Sequence, residues 1–149
     1  MTRWLDHDEQ QTWRAFLTAS RALTETLDRE LQHDAGMPHA YYEILVRLSE
    51  APQRRLRMSE LAESTGSSRS RLSHAAARLE AAGWIRREEC PTDRRGQIAV
   101  LTDSGFATLA AAAPGHVEGV RRHLFDALSP AQVDQLRRIS ETLVAHLTR

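Results

Sequence analysis

The chain contains no lysine: all twenty of its cationic side chains are arginine. An all-arginine set is what the codons of a GC-rich genome produce, so it is not read as selection at each position. It matters where an arginine meets a planar acceptor, because a guanidinium forms two parallel hydrogen bonds and an ammonium does not. Cysteine is nearly absent as well. Cys90 stands alone, which excludes an intramolecular disulfide and fits a reducing compartment. Aromatics are limited to three Trp, three Phe and two Tyr, leaving the core mostly aliphatic. No apolar run nears the ~20 residues of a membrane-spanning helix. The opening MTRWLDHDEQQ is acidic and polar where a signal peptide would be basic and then apolar. We therefore expect a cytoplasmic protein with no membrane partner. Enzymatic signatures are missing too: there is no G-x-S-x-G, no Gly-rich phosphate loop and no H-E-x-x-H. We expect no catalytic residues and no cofactor.

The 149 residues carry a formal net charge of zero, but the charge is divided. From Arg54 to Arg95 there are ten arginines against six acids, and elsewhere ten arginines against fourteen. The middle of the chain is cationic and its flanks are acidic, a distribution that suits a polyanionic partner.

Apolar spacing orders the elements. Trp13, Phe16, Leu17, Leu23, Leu27 and Leu31 recur at three- and four-residue steps from about Glu9 to His33, which predicts a long amphipathic helix. Gly36 ends it, and Pro38 suits the first turn of a second helix over His39–Glu50. Met58–Thr65 is a short third helix, closed by Gly66. Ser67 or Ser68 then caps a fourth that buries Leu72, Ala76 and Leu79 and ends at Gly83. Two alternating runs, Trp84–Glu89 and Gln97–Leu101, flank a polar turn carrying Asp93, Arg94 and Arg95, which predicts a hairpin with a cationic tip. Thr102 caps a fifth helix through Asp103–Ala127, with a kink or break expected at Pro114-Gly115. Ser129-Pro130-Ala131-Gln132 opens the last helix with a capping box, and Val133, Leu136, Ile139, Leu143 and Leu147 form its stripe.

The fold expected is mainly α with a small β-hairpin wing: a winged helix–turn–helix domain over 36–102, with helical dimerisation segments 1–35 and 103–149. One small winged domain cannot cover the stripes of the first and last helices, so a two-fold homodimer is expected. A basic helix followed by a basic hairpin touches a nucleic-acid backbone at two places. Ser68, Arg69, Ser70 and Arg71 lie in the first turn of the fourth helix, where side chains reach base edges, and Arg69 or Arg71 could fork onto guanine. His74 and Arg78, one and two turns on, suit phosphates. Arg86 and Arg87 alternate faces, so at most one, taken as Arg86, meets the backbone.

The segment MSELAESTGSSRSRLSHAAARLEAAGWIRRE, followed by Asp93-Arg94-Arg95-Gly96 and IAVLTDSG, resembles the MarR family of winged helix–turn–helix transcriptional regulators, and the likeness covers nearly the whole chain. It implies a triangular homodimer on pseudo-palindromic double-stranded DNA. Recognition helices would enter successive major grooves and wings the adjacent minor grooves. Regulation would be by repression, with release by a small aromatic or phenolic effector. It also implies that Arg95 is the minor-groove residue, with Asp93 pairing to it and fixing its direction and Arg94 on a phosphate or a second groove position. Arg57 departs from the pattern, since the family often places a capping Thr or Ser about there.

Several other residues suit both a functional and a plain structural role. Cys90 could be a redox sensor, but family peroxide sensors carry that cysteine in the N-terminal helix, and an inert strand-end thiol is the reading here. His33, His39, His116 and His123 could hold zinc, yet they show no ligand spacing, so no metal is expected. An effector pocket beneath the second helix would use Trp13, Phe16, His39 and Tyr41 or Tyr42, all of which also suit a core. The competing function is a winged-helix protein–protein module without specific DNA binding.

Overall fold

The structure, a computed structural model, describes residues 1–148 except for the side chain of Arg94. Six helices are interrupted by one small sheet. Helix α1 (His7–Ala35) and helix α2 (His39–Glu50) lead through a 3-10 turn (Pro52–Arg54) to strand β1 (Arg55–Arg57). Helices α3 (Met58–Thr65) and α4 (Arg69–Ala81) precede strands β2 (Ile85–Cys90) and β3 (Asp93–Leu101). Helix α5 (Asp103–His123), a second 3-10 turn (Phe125–Ala127) and helix α6 (Pro130–Leu147) complete the chain.

Local chemistry explains the ends. Asp6 and Glu9 cap α1 reciprocally, each carboxylate accepting the other's backbone N–H at 2.8 and 2.9 Å, so the helix starts earlier than its apolar stripe. Pro38 proves to be the N-cap of α2 rather than its first helical residue, and it offers no side-chain acceptor. Asp28, eleven residues back, accepts the His39 N–H instead at 2.8 Å. Gly66 (φ 64) and Gly83 (φ 80) adopt left-handed backbone at the ends of α3 and α4. In each case the following N–H reaches back five residues: Ser67 to the Ala62 carbonyl and Trp84 to that of Leu79. Ser68 caps α4, accepting the Arg71 N–H at 3.1 Å.

Four expectations are corrected. Strand β1 was not foreseen: the sheet has three antiparallel strands in the order β1-β3-β2, not two, because a three-residue R-L-R run carries too little alternation to register as a strand. The hairpin turn is Pro91-Thr92, and Asp93–Arg95 already belong to β3. Pro91, with its fixed φ and no N–H, takes the turn expected at Asp93–Arg95. Helix α5 is continuous through Pro114. A proline removes one ladder donor, and the preceding run Ala110–Ala113 propagates well enough to span the gap. The helix ends at His123 rather than at Ala127.

The chain forms two compact units, one of Asp28–Gly115 and one of Met1–Leu27 with His116–Arg149. The first holds a closed core in which Met37, Leu45, Leu48, Leu61 and Leu79 are fully buried. Leu31 of α1 and Leu109 and Ala112 of α5 join this core. The compact unit is therefore wider than 36–102: its apolar cluster needs a turn of each flanking helix. In the second unit α6 buries no residue.

Candidate nucleic-acid interface

Helix α4 turns Leu72, Ala76 and Leu79 into the core and leaves Ser68, Arg69, Ser70, Arg71, Ser73, His74 and Arg78 exposed. The 3.6-residue period separates these by direction. Ser70 and His74, one turn apart, lie mid-face. Arg69 and Arg71 fall on opposite flanks. Arg69 and Ser73 border a cleft of about 590 Å³ whose far side is the wing, formed by Cys90, Asp93, Arg95 and Gln97. Arg71 and His74 border a second cleft, about 420 Å³, against Tyr41 and Ile44 of α2.

The sheet sorts its arginines by face. Arg55, Val100 and Arg86 are directly opposite one another across the three strands, and so are Arg57, Ile98 and Glu88. On this face Glu88 accepts from Arg86 at 2.9 Å and from Arg55 at 2.8 Å. Those bonds, that of Arg86 foremost, hold its carboxyl below the ordinary range. Arg87, on the opposite face, is held by Glu80 of α4 at 3.2 Å, and its N–H donates to the same carboxylate at 3.0 Å. Glu80 is lowered for the same reason. Arg54, itself in a left-handed conformation (φ 56), lies 3.8 Å over the Phe106 ring. Arg86, expected at the interface, is thus an intramolecular partner of Glu88. The i+2 spacing puts the two side chains on the same face of the strand. Among the described residues Arg69, Arg71, Arg78 and Arg95 form no side-chain ion pair.

At the wing the strand register shifts: Glu89 pairs with Gln97 but Cys90 with Asp93, so Arg94, Arg95 and Gly96 have no partner on β2. Asp93 meets Arg95 through its backbone rather than its side chain: Oδ1 accepts the Arg95 N–H at 3.0 Å. This shapes the main chain and leaves the guanidinium unengaged. The side chain of Arg94 lies outside the described residues. Cys90 is buried at the end of β2, with Sγ 3.4 Å from Thr92 Oγ1. The Thr92 hydroxyl, and then its backbone N–H, draw the thiol below its ordinary value. The wing root is latched to α5 by Thr102, whose hydroxyl donates to the Gly83 carbonyl at 2.6 Å and accepts the Gly105 N–H at 3.0 Å.

The four effector-pocket residues divide between the units. Trp13 and Phe16 belong to the helical unit and are each 51% exposed. His39 opens α2, and Tyr42 is in the winged core, where burial raises its hydroxyl pKa.

A helix–turn–helix with an exposed basic second helix, backed by a three-stranded sheet whose hairpin projects as a wing, defines a winged-helix regulator. The sequence profile of the MarR family matches residues 35–96. Sco3205, a MarR family transcriptional regulator from Streptomyces coelicolor crystallised in complex with DNA, is 53% identical, with a TM-score of 0.95 over 98% of this chain and 92% of that one. AbsC, a MarR family transcriptional regulator of the same organism, is 46% identical, with a TM-score of 0.92 over 99% of both chains. The transcriptional repressor MprA of Escherichia coli (strain K12) is 32% identical over 112 residues, which are 75% of this chain and 63% of MprA. This chain belongs to the MarR family of transcriptional regulators.

Proposed function

We propose that the protein is a sequence-specific double-stranded-DNA-binding repressor acting as a homodimer on a pseudo-palindromic operator. The observation that carries the reading is the sorting of the arginines. Arg55, Arg86 and Arg87 on the sheet are engaged by carboxylates within the chain, whereas Arg69, Arg71 and Arg78 on α4 and Arg95 on the wing are exposed and form no ion pair. A charged side chain held by an internal partner is already satisfied, and one left exposed is available to guanine or phosphate. Sco3205, bound to DNA in its crystal, and MprA, named a repressor, support the same reading.

The helical unit supports dimerisation. Trp13 and Phe16 of α1 and Ile139, Leu143, Val144 and Leu147 of α6 expose apolar surface that a second copy would cover. In this reading Trp13 and Phe16 are dimer contacts first, and release by a small aromatic effector would act by shifting how two copies are spaced.

Selection of bound sequences from randomised duplex DNA, followed by affinity measurement at two salt concentrations, tests the proposal. A palindrome with half-sites one helical turn apart is expected. Arg69→Ala or Arg71→Ala should relax discrimination at one base pair by roughly 1–3 kcal/mol. Weak, purely salt-driven binding with no motif would overturn the proposal in favour of a protein–protein module.

A further inference from the structure

Arg57 is the last residue of β1 and the N-cap of α3, where it makes no capping bond. A guanidinium has only donors, so it cannot serve the free N–H groups of a helix start. Its side chain reaches elsewhere: Nη2 donates to Thr92 Oγ1, 35 residues away in sequence, at 3.0 Å. Thr92 is half of the two-residue turn at the wing tip.

The tip has few other ties. Thr92 Oγ1 also lies 3.4 Å from Cys90 Sγ, but that contact stays within the hairpin and does not tie the tip to β1 or α3. Beyond Glu89↔Gln97 the ladder slips, and β2 meets β3 again only at Cys90↔Asp93. The Asp93–Arg95 bond is local to β3. Strand β1 stops short of the tip, at Arg57↔Ile98. The Arg57 side chain therefore continues β1's hold on the hairpin past the end of β1 itself. Arg57 also borders the cleft that separates Arg69 of α4 from Arg95 of the wing. Whatever fixes the tip there fixes the placement of Arg95 against α4.

We propose that Arg57 is a positioning residue for the wing: by holding Thr92 it sets where Arg95 stands relative to α4, and so governs preference for base pairs flanking the half-sites. The inference rests on the DNA-binding reading above. Two-stranded ribbon ends are weakly stable by themselves, so loss of the tie frees the tip without unfolding the sheet.

The test uses the full-length protein, its selected operator, and the same operator with flanking A·T pairs changed to G·C. Wild-type protein must first show half-site discrimination; if it does not, the functional reading fails and the loss is not charged to Arg57. Given that, Arg57→Gln and Thr92→Val should each reduce flank discrimination about five-fold, the size of one hydrogen bond. The double variant should be no worse than either single one. Thr92→Ser, which keeps the hydroxyl, should behave as wild type. Half-site discrimination and melting temperature should not move. A wild-type protein indifferent to the flanks, or variants that leave flank discrimination intact, would overturn the inference. So would an Arg57→Gln loss with a flatter salt dependence that Thr92→Val does not share, because Arg57 would then touch a phosphate directly.

Discussion

The two units of this chain use apolar residues in opposite ways. In Asp28–Gly115, α2, α3, α4 and the sheet close on one another, and Met37, Leu45, Leu48, Leu61 and Leu79 see no solvent. In the helical unit, Ile139 is 59% exposed and Leu147 75% exposed on a helix that buries nothing. The first unit accounts for its own hydrophobic surface; the second does not, and a stripe of that length left in water is a surface waiting for another. The winged unit can therefore be read as a finished object, while in the proposed homodimer the helical unit would be half of one.

The largest way to break the winged unit is Gly105→Ala. A Cβ there would stand 2.0 Å from the Trp84 carbonyl oxygen. The obstacle is backbone, which no rotamer change relieves. We expect destabilisation of about 3 kcal/mol or more, read as a lowered melting temperature. The helical unit breaks differently. Ile139→Glu with Leu143→Glu should change monomer stability by less than ~0.5 kcal/mol, since both side chains are already exposed, yet halve the mass seen in sedimentation. A dimer that survives both charges would remove the contrast between the units.

Helix caps sharpen the comparison at smaller scale. Ser68→Ala and Ser129→Ala should each cost about 1 kcal/mol. Ser68→Ala should also weaken DNA binding, because it loosens the first turn of α4. Ser129→Ala, which removes half of the reciprocal box with Gln132, should not. The smallest effect is on acid stability. Glu80 and Glu88 titrate below their ordinary range because arginines donate to them. Their stabilisation is complete above the unfolded value of about 4.3 and is lost as pH falls through the lower folded value. Glu80→Gln and Glu88→Gln should therefore flatten the acid limb of a stability–pH curve. A limb that is unchanged would show that these pairs are electrostatically idle.

Legibility in the sequence followed the range of the interaction. The Ser68 and Ser129 caps and the Gly66 and Gly83 terminators were readable because each is decided within about five residues. The motif residues Thr102 and Gly105 were visible as a pattern, but their reason, the Trp84 carbonyl pressed against Gly105, lies across the fold. Strand β1 was missed because its pairing with β3 is more than forty residues distant and only three residues long. Arg86, expected at the interface, is 56% exposed and also pairs with Glu88 two residues on. A count of charges sees an arginine; the alternation of a strand puts Glu88 beside it. Arg57 stood out as an ill-suited cap; its partner at the wing tip could not be read from spacing.

The double hold of Glu88 on Arg55 and Arg86 bears on how such a regulator finds its place on a chromosome. Adhesion to arbitrary duplex grows with every unneutralised cation, and a genome offers millions of wrong addresses for each right one. Glu88, held by both Arg55 and Arg86, cancels one of the two positive charges they would otherwise present. In the proposed regulator, residence on DNA would then depend more on the few contacts that read bases than on the sheet's charge.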